Sequence, residues 1–311
     1  MQLEQRARGV LYGLVIGDNL GALVEFAQPE DIAWQYPDGV REMRAGGVHK
    51  LVAGQGTDDT EMAVELLESL VERGGFDADD VLRRYTGWLE SGPFDRGDTI
   101  RRALSGEGMD ETSQANGAMM RISPLAIAYA GEAAAAQQFS RVDAALTHPN
   151  PMAAAANAVY VGALVDVLGG ADPLEALRVR LGEEDLAQYL DDKARGRHYT
   201  LDNWEKEPPA SGGGWVLNAL HVVVYHVAQG TDFEEALVET IGLGGDTDTN
   251  AAIVGAFLGA VVGEEGIPER WRNTVDGVTT LNHGRPERYI PRVAEWADAL
   301  VALSKAGSRP G

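Results

Sequence analysis

Residues 56–75 read GTDDTEMAVELLESLVERGG, an acidic, glycine-flanked loop that runs straight into an apolar stripe. Met62, Leu66 and Leu70 recur at helical spacing, and Gly74-Gly75 closes the run. The same period returns along the chain. Val81, Leu82, Tyr85, Trp88 and Leu89 follow Asp77 or Asp79 as an N-cap. Pro151 opens an alanine-rich helix to Leu168, stopped by Gly169-Gly170. Asp172-Pro173 starts the next, with Leu174, Leu177 and Leu181 on one face. Val216, Leu220, Val223 and Val227 line another, which Gly230 closes. Asp232-Phe233-Glu234-Glu235 reads as a capped start. No period-2 strand exceeds four residues, so the sequence predicts an all-α fold.

The chain has 311 residues, 44% hydrophobic and 24% charged, the composition of a globular protein with a sizeable core. A net charge of −22 leaves no broad basic face for a nucleic-acid backbone. The absence of cysteine excludes disulfides, thiolate metal sites and a Cys nucleophile. The N-terminus lacks a charged-then-apolar signal pattern, and the longest apolar run, Ala251–Gly263, spans about 13 residues, too few for a bilayer. A cytoplasmic protein without a membrane partner is the expectation. The irregular stretch 25–56, rich in Pro and Gly, reads as a cover for a site, and polar 191–214 reads as a surface loop rather than a linker. One domain over 1–303 is expected, with 304–311 as a flexible tail.

Two helices carry glycines every fourth residue: Gly9, Gly13, Gly17 and Gly21, then Gly255, Gly259 and Gly263. Each interior Gly costs a helix about 1 kcal/mol relative to Ala, so a stacked row points to close backbone approach of neighbouring helices. Both rows adjoin acidic segments. The first acidic loop is Gly56-Thr57-Asp58-Asp59-Thr60, and the second is Gly244-Gly245-Asp246-Thr247-Asp248-Thr249. Either alone reads as a helix N-cap. Together they supply four Asp that repel one another on convergence unless cations sit between them. Hard carboxylate and hydroxyl oxygens favour Mg²⁺, Mn²⁺ or Ca²⁺. A two-cation hydrolytic centre follows. An EF-hand is excluded, because Ala251 and Phe257 stand where Gly and Glu are required. Neither a P-loop nor a Gly-x-Ser-x-Gly elbow occurs.

Three motifs carry a resemblance. They are Gly17-Asp18-x-x-Gly21-x-x-x-Glu25-Phe26, Gly56-Thr57-Asp58-Asp59-Thr60-x-Met62, and Gly244–Thr249 with Ala251-Ala252 and Gly255-Ala256. In that order they resemble the ADP-ribosylhydrolases of the dinitrogenase-reductase-activating glycohydrolase type, from about residue 5 to 295. The resemblance implies an orthogonal helical bundle with two Mg²⁺ or Mn²⁺ ions in a cleft. It implies ligation by Thr57, Asp58, Asp59, Asp246, Asp248 and Thr249, with Glu25 on a mobile loop as ligand or base. Phe94-Asp95-Arg96-Gly97 is similar to a loop whose Asp lies beside the scissile bond, although Arg96 replaces an aliphatic residue. Asn116-Gly117 resembles the segment around the diphosphate and distal ribose, and Thr147-His148-Pro149 a Thr-His near the phosphates. Trp215 falls where an aromatic stacks on adenine.

The implied reaction is attack of water on an anomeric carbon, releasing ADP-ribose from a modified side chain. Glu25 and Asp95 then serve as the catalytic carboxylates, their acid and base roles unassigned. A bound cation lowers the pKa of its water. ADP-ribosyl-arginine is the expected substrate, within an ADP-ribosylated protein or smaller molecule. O-linked (serine or acyl) ADP-ribose, cleavage of the diphosphate by a two-metal phosphoesterase, and a non-catalytic role like that of a lens crystallin on this fold are the alternatives.

Overall fold

The computed structural model describes residues 1–184, 186, 191–192, 197–198, 201–206, 208–209 and 212–306. Fifteen α-helices occur among them. The first nine are α1 (Leu3–Gly21), α2 (Pro29–Gln35), α3 (Asp58–Arg73), α4 (Ala78–Glu90), α5 (Asp98–Leu104), α6 (Ser123–Ala128), α7 (Ala133–Ala145), α8 (Pro151–Leu168) and α9 (Pro173–Glu183). The others are α10 (Leu201–Lys206), α11 (Val216–Gln229), α12 (Phe233–Gly242), α13 (Thr247–Gly266), α14 (Glu269–Asp276) and α15 (Val293–Lys305). The all-α expectation holds. Strand pairing among the described residues amounts to one two-residue antiparallel ladder, Asp191–Asp192 with Arg197–His198, and two isolated bridges.

Local chemistry sets the helix ends. The side chains of Asp77, Asn150, Asp172 and Asp232 accept from backbone N–H groups in the first turns of α4, α8, α9 and α12. Gly74 and Gly230 close α3 and α11 in the left-handed conformation, at φ 72° and 62°. On α4 the buried stripe is Val81, Tyr85 and Trp88, whereas Leu82 stays 37% exposed. Ser304 and Lys305 belong to α15, so the part of the expected tail among the described residues is helical; 307–311 lie outside them.

The spine of the molecule is an antiparallel pair, α1 against α13. A Cβ on Gly9 would stand 2.1 Å from the Gly259 carbonyl oxygen, and one on Gly13 1.9 Å from that of Gly255. The row continues with Gly17 over Ala251 and Gly21 over Asp248. Backbone therefore packs directly on backbone. α8 crosses α13 and is pinned by the Tyr160 hydroxyl donating to the Ile253 carbonyl at 2.8 Å. By length and composition α8 is apolar enough to cross a bilayer, but 83% of it is buried inside the protein.

Candidate active site

The α1–α13 pairing brings the C-terminal end of α1 beside the N-terminal end of α13, and with them the two acidic loops. Asp18, fully buried on α1, accepts from the backbone N–H of Thr57 and Thr60 and from both hydroxyls, at 2.5–3.0 Å. One carboxylate from a distant helix thus caps α3. Neither acidic loop uses its own side chains as the N-cap of its helix: Thr57 and Asp246 occupy those positions without a side-chain cap bond. Capping of α3 falls to Asp18 instead, and Asp58 and Asp59 remain available, whereas Asp248 spends one oxygen on the Thr249 N–H.

Thr57 Oγ1 lies 3.2 Å and Thr249 Oγ1 3.4 Å from Asp59 Oδ2, so the two loops meet at Asp59. Its other oxygen, Oδ1, is buried with no hydrogen-bond partner. Asp246 accepts from Asn116 Nδ2 at 2.7 Å, and Asp248 accepts from the Thr249 N–H at 2.9 Å. Burial first, and then the neighbouring carboxylates, push Asp58, Asp59 and Asp248 well above the usual carboxylate range. Asp246 is raised mainly by burial, and Asp18 rises to about 6 for the same reason. Without a counter-charge this is an electrostatically strained cluster. An all-oxygen donor set with an orphaned buried carboxylate oxygen fits a hard divalent cation. Oxygens of Glu25, Asp246 and Asp248 lie within 4.8 Å of one another, a second grouping that suits one.

The carboxylates floor a cleft of about 240 Å³ whose walls include Asp95, Ile100, Asn116, Gly117, His148 and Gly214. Glu25, buried beside Asp246 and Asp248, is held by His49, with Nε2 to Oε2 at 2.6 Å; burial raises Glu25, and the Glu25 contact raises His49. Asn116 Nδ2 also reaches Asn250 Oδ1 at 3.4 Å. Gly117 approaches His148 so closely that a Cβ would meet the ring at 3.2 Å. Thr147 Oγ1 accepts from Arg121 at 2.9 Å and lies 2.8 Å from His148 Nδ1. Burial and Arg121 push His148 down to about 3, so the ring is neutral.

Trp215 sits beside the cleft wall, with its indole turned to Gln114. Its indole donates to Gln114 at 3.0 Å and packs on the core, while the preceding Gly214 is the residue at the cleft wall. A backbone bridge to Ala115 fixes that arrangement. Arg96 folds onto its own loop, donating to the Pro93 carbonyl at 3.3 Å. The sequence reading assigned no role to Asp18, His49 or Asn250. Asp18 sat inside a quoted motif, but His49 lies in an irregular loop where no period marks it.

A helical bundle closes around convergent carboxylates in a cleft, and the known proteins give this architecture a family. The ADP-ribosylglycohydrolase family model matches residues 1–308, and the chain belongs to that family of glycosidic-bond hydrolases. The ADP-ribosyl-[dinitrogen reductase] glycohydrolase of Rhodospirillum rubrum is 34% identical, covering 97% of both chains. The ADP-ribosylarginine hydrolase Tri1 of Pseudomonas putida is 29% identical over 87% of this chain and 74% of its own. The ADP-ribosylhydrolase ARH3 of Bos taurus is 28% identical, over 88% and 89%. A solved structure described as an ADP-ribosylglycohydrolase-related protein complex superposes with a TM-score of 0.77 at 33% identity, over 97% of this chain and 99% of that one.

Proposed function

We propose that this protein is a divalent-metal-dependent hydrolase that removes ADP-ribose from arginine side chains. The observation that carries the reading is the meeting of both acidic loops at Asp59, with its buried, unpartnered oxygen, while their neighbours Asp58, Asp246 and Asp248 line the cleft together with Asp95. Thr57, Asp58, Asp59, Asp246, Asp248 and Thr249 would hold two Mg²⁺ or Mn²⁺ ions, whose contribution is to fix the ribose hydroxyls and make water more acidic. Asn116, Gly117 and neutral His148 present polar groups to the ADP moiety. Glu25 takes a proton from the attacking water as the new C–O bond forms at the anomeric carbon. The C–N bond breaks, its electron pair goes to the guanidine, and the proton that Glu25 took from water passes to the guanidine, guided by Asp95, to give free arginine. A carboxylate pairs with a guanidinium through two parallel hydrogen bonds, which a serine hydroxyl cannot offer. Arg96 donates to the Pro93 carbonyl rather than to the Asp95 carboxylate. The names of the Rhodospirillum and Pseudomonas relatives support the glycosidic reading, and the latter supports arginine.

Purified protein with Mn²⁺ or Mg²⁺ should release free ADP-ribose from arginine-linked peptides faster than from serine-linked ones. Faster release from serine would replace the linkage assignment. Release of AMP would point to the diphosphate instead, and no release with either cation would leave an ADP-ribose-binding protein.

A further inference from the structure

Beside Asp95, which lines the cleft, stands a histidine that the reaction scheme does not use. His49 Nε2 stands 2.6 Å from Glu25 Oε2 and 3.4 Å from Asp95 Oδ2, one imidazole edge between two carboxylates from separate loops. Its position is fixed from behind. The Phe94 ring lies 5.4 Å from His49 and 4.7 Å from His283. His283 Nε2 donates to the His49 carbonyl at 2.5 Å, and Asn282 Nδ2 donates to the next carbonyl, Lys50, at 2.6 Å. Paired backbone bonds between Gly46 and Leu51, each 2.9 Å, close the turn that presents His49.

The backbone adds an independent observation. Among the described residues, three non-glycines adopt left-handed φ: Phe26 at 64°, Lys50 at 53° and His283 at 60°. One follows Glu25, one follows His49, and the third is His283 itself. Backbone strain of this kind persists where surrounding structure over-determines it, and it gathers at working sites.

We propose that His49 is a positioning residue for the hydrolysis, holding the Glu25 and Asp95 carboxylates on one side of the cleft, and that Phe94 and His283 extend this clamp. The inference rests on the catalytic roles given above to Glu25 and Asp95. The donor is the Nε2–H of His49, which fixes Glu25 Oε2, while Asp95 stays beyond ordinary hydrogen-bond length and keeps its freedom to meet the leaving group.

The test compares wild type, His49→Ala, His49→Gln, Phe94→Leu and His283→Ala on an arginine-linked ADP-ribosyl peptide with Mn²⁺, alongside calorimetry with free ADP-ribose. His49→Ala should lower kcat by about 10- to 100-fold, the range for lost orienting partners, with ADP-ribose affinity unchanged. His49→Gln, whose amide N–H still reaches Glu25, should recover most of the loss. Phe94→Leu and His283→Ala should lower kcat in the same sense but less. Wild-type kcat in His49→Ala, or parallel loss of kcat and ADP-ribose affinity, would overturn the clamp. Should wild type release nothing, the hydrolase reading fails separately. Crystal structures of wild type and His49→Ala then decide: a Glu25 carboxylate that keeps its place refutes the inference, and one that swings away supports it.

Discussion

Asp18 shows how one residue shapes the site's electrostatics. By accepting from Thr57 and Thr60 it caps α3, so Asp58 and Asp59 keep their oxygens. The remaining cluster is a pile of like charge, and removing one charge should relieve it. Asp248→Asn should raise the melting temperature of the metal-free protein, by about 2–4 °C for each kcal/mol relieved, while abolishing the upward shift that Mn²⁺ gives wild type. Calorimetric scans with and without Mn²⁺ check both signs, and a variant still stabilised by Mn²⁺ would remove Asp248 from the ligand set. His148 makes an opposite kind of statement. An imidazole of ordinary pKa gains charge as pH falls through about 6.5 and so tightens its grip on an anion. His148, held down to about 3 by burial and Arg121, stays neutral throughout that window. Thr147 Oγ1 already accepts from Arg121, so its hydroxyl suits donation to Nδ1, in the tautomer that keeps the ring proton on Nε2 at the cleft wall. The contribution of His148 to ADP-ribose affinity should therefore be flat between about pH 5 and 8. His148→Phe should weaken binding about tenfold or more, in line with 1.5–3 kcal/mol for hydrogen bonds to charged groups. Calorimetric titrations at both pH limits measure it; a wild-type affinity that climbs in acid through a group lost in His148→Phe would contradict the neutral ring. Such roles were partly legible. Motif spacing marks Asp58, Asp59, Asp246 and Asp248, but the bond from Arg121 to Thr147, beside His148, depends on packing that no local pattern encodes.

At the scale of elements, the four-residue glycine spacing was the most legible feature, because only close backbone approach explains so many glycines in a helix. The sequence did not say which helices meet. The two rows run antiparallel and in register, pairing Gly9 with Gly259, Gly13 with Gly255 and Gly17 with Ala251. That register also sets Gly21 on Asp248, so spine packing and site geometry are one constraint. Gly13→Ala would drive a methyl to 1.9 Å from the Gly255 carbonyl oxygen, with backbone rather than a side chain in the way. It should cost about 1–3 kcal/mol or more and weaken Mn²⁺ binding by separating α1 from α13. Gly87→Ala is the control. Nothing lies within 4 Å of its added Cβ on an exposed face of α4, so helix propensity should stabilise the fold by up to about 1 kcal/mol. Urea unfolding and Mn²⁺ titration of both variants test the contrast, and a Gly13→Ala protein with wild-type stability would show the spine to be compliant. Loops were less legible. The 25–56 stretch was readable as a cover for the site from its Pro and Gly content, yet His49 on it owes its role to contacts with Phe94 and His283, distant in sequence.

Across the whole molecule, the site draws on positions from Asp18 to Asn250, and residues beyond that range hold its scaffold together. Arg285 grips Glu61 of α3 with two 2.7 Å hydrogen bonds, and the indole of Trp88 donates to the same carboxylate at 2.7 Å. The pair is almost fully buried, with 2% and 3% of the side chains exposed. Three segments far apart in sequence thus converge on one carboxylate within the helix that begins at Asp58. Near the other end of the molecule, Lys305 of α15 donates to Glu4 of α1. A fold closed in this way should melt as one unit, with the site and the core lost together. Removing one member of a buried ion pair leaves an uncompensated charge and typically costs about 3–5 kcal/mol. Arg285→Met should therefore lower the melting temperature sharply, and as a single transition, because α3 loses its tie to the C-terminal segment. Mn²⁺ should still raise what remains, since all six proposed ligands are intact. Far-ultraviolet circular dichroism and tryptophan fluorescence, followed together through the melt with and without Mn²⁺, decide the point. Two separated transitions in wild type, only one of them moved by Mn²⁺, would mean that the metal-binding part folds independently and that the Glu61–Arg285 pair belongs to a different cooperative unit.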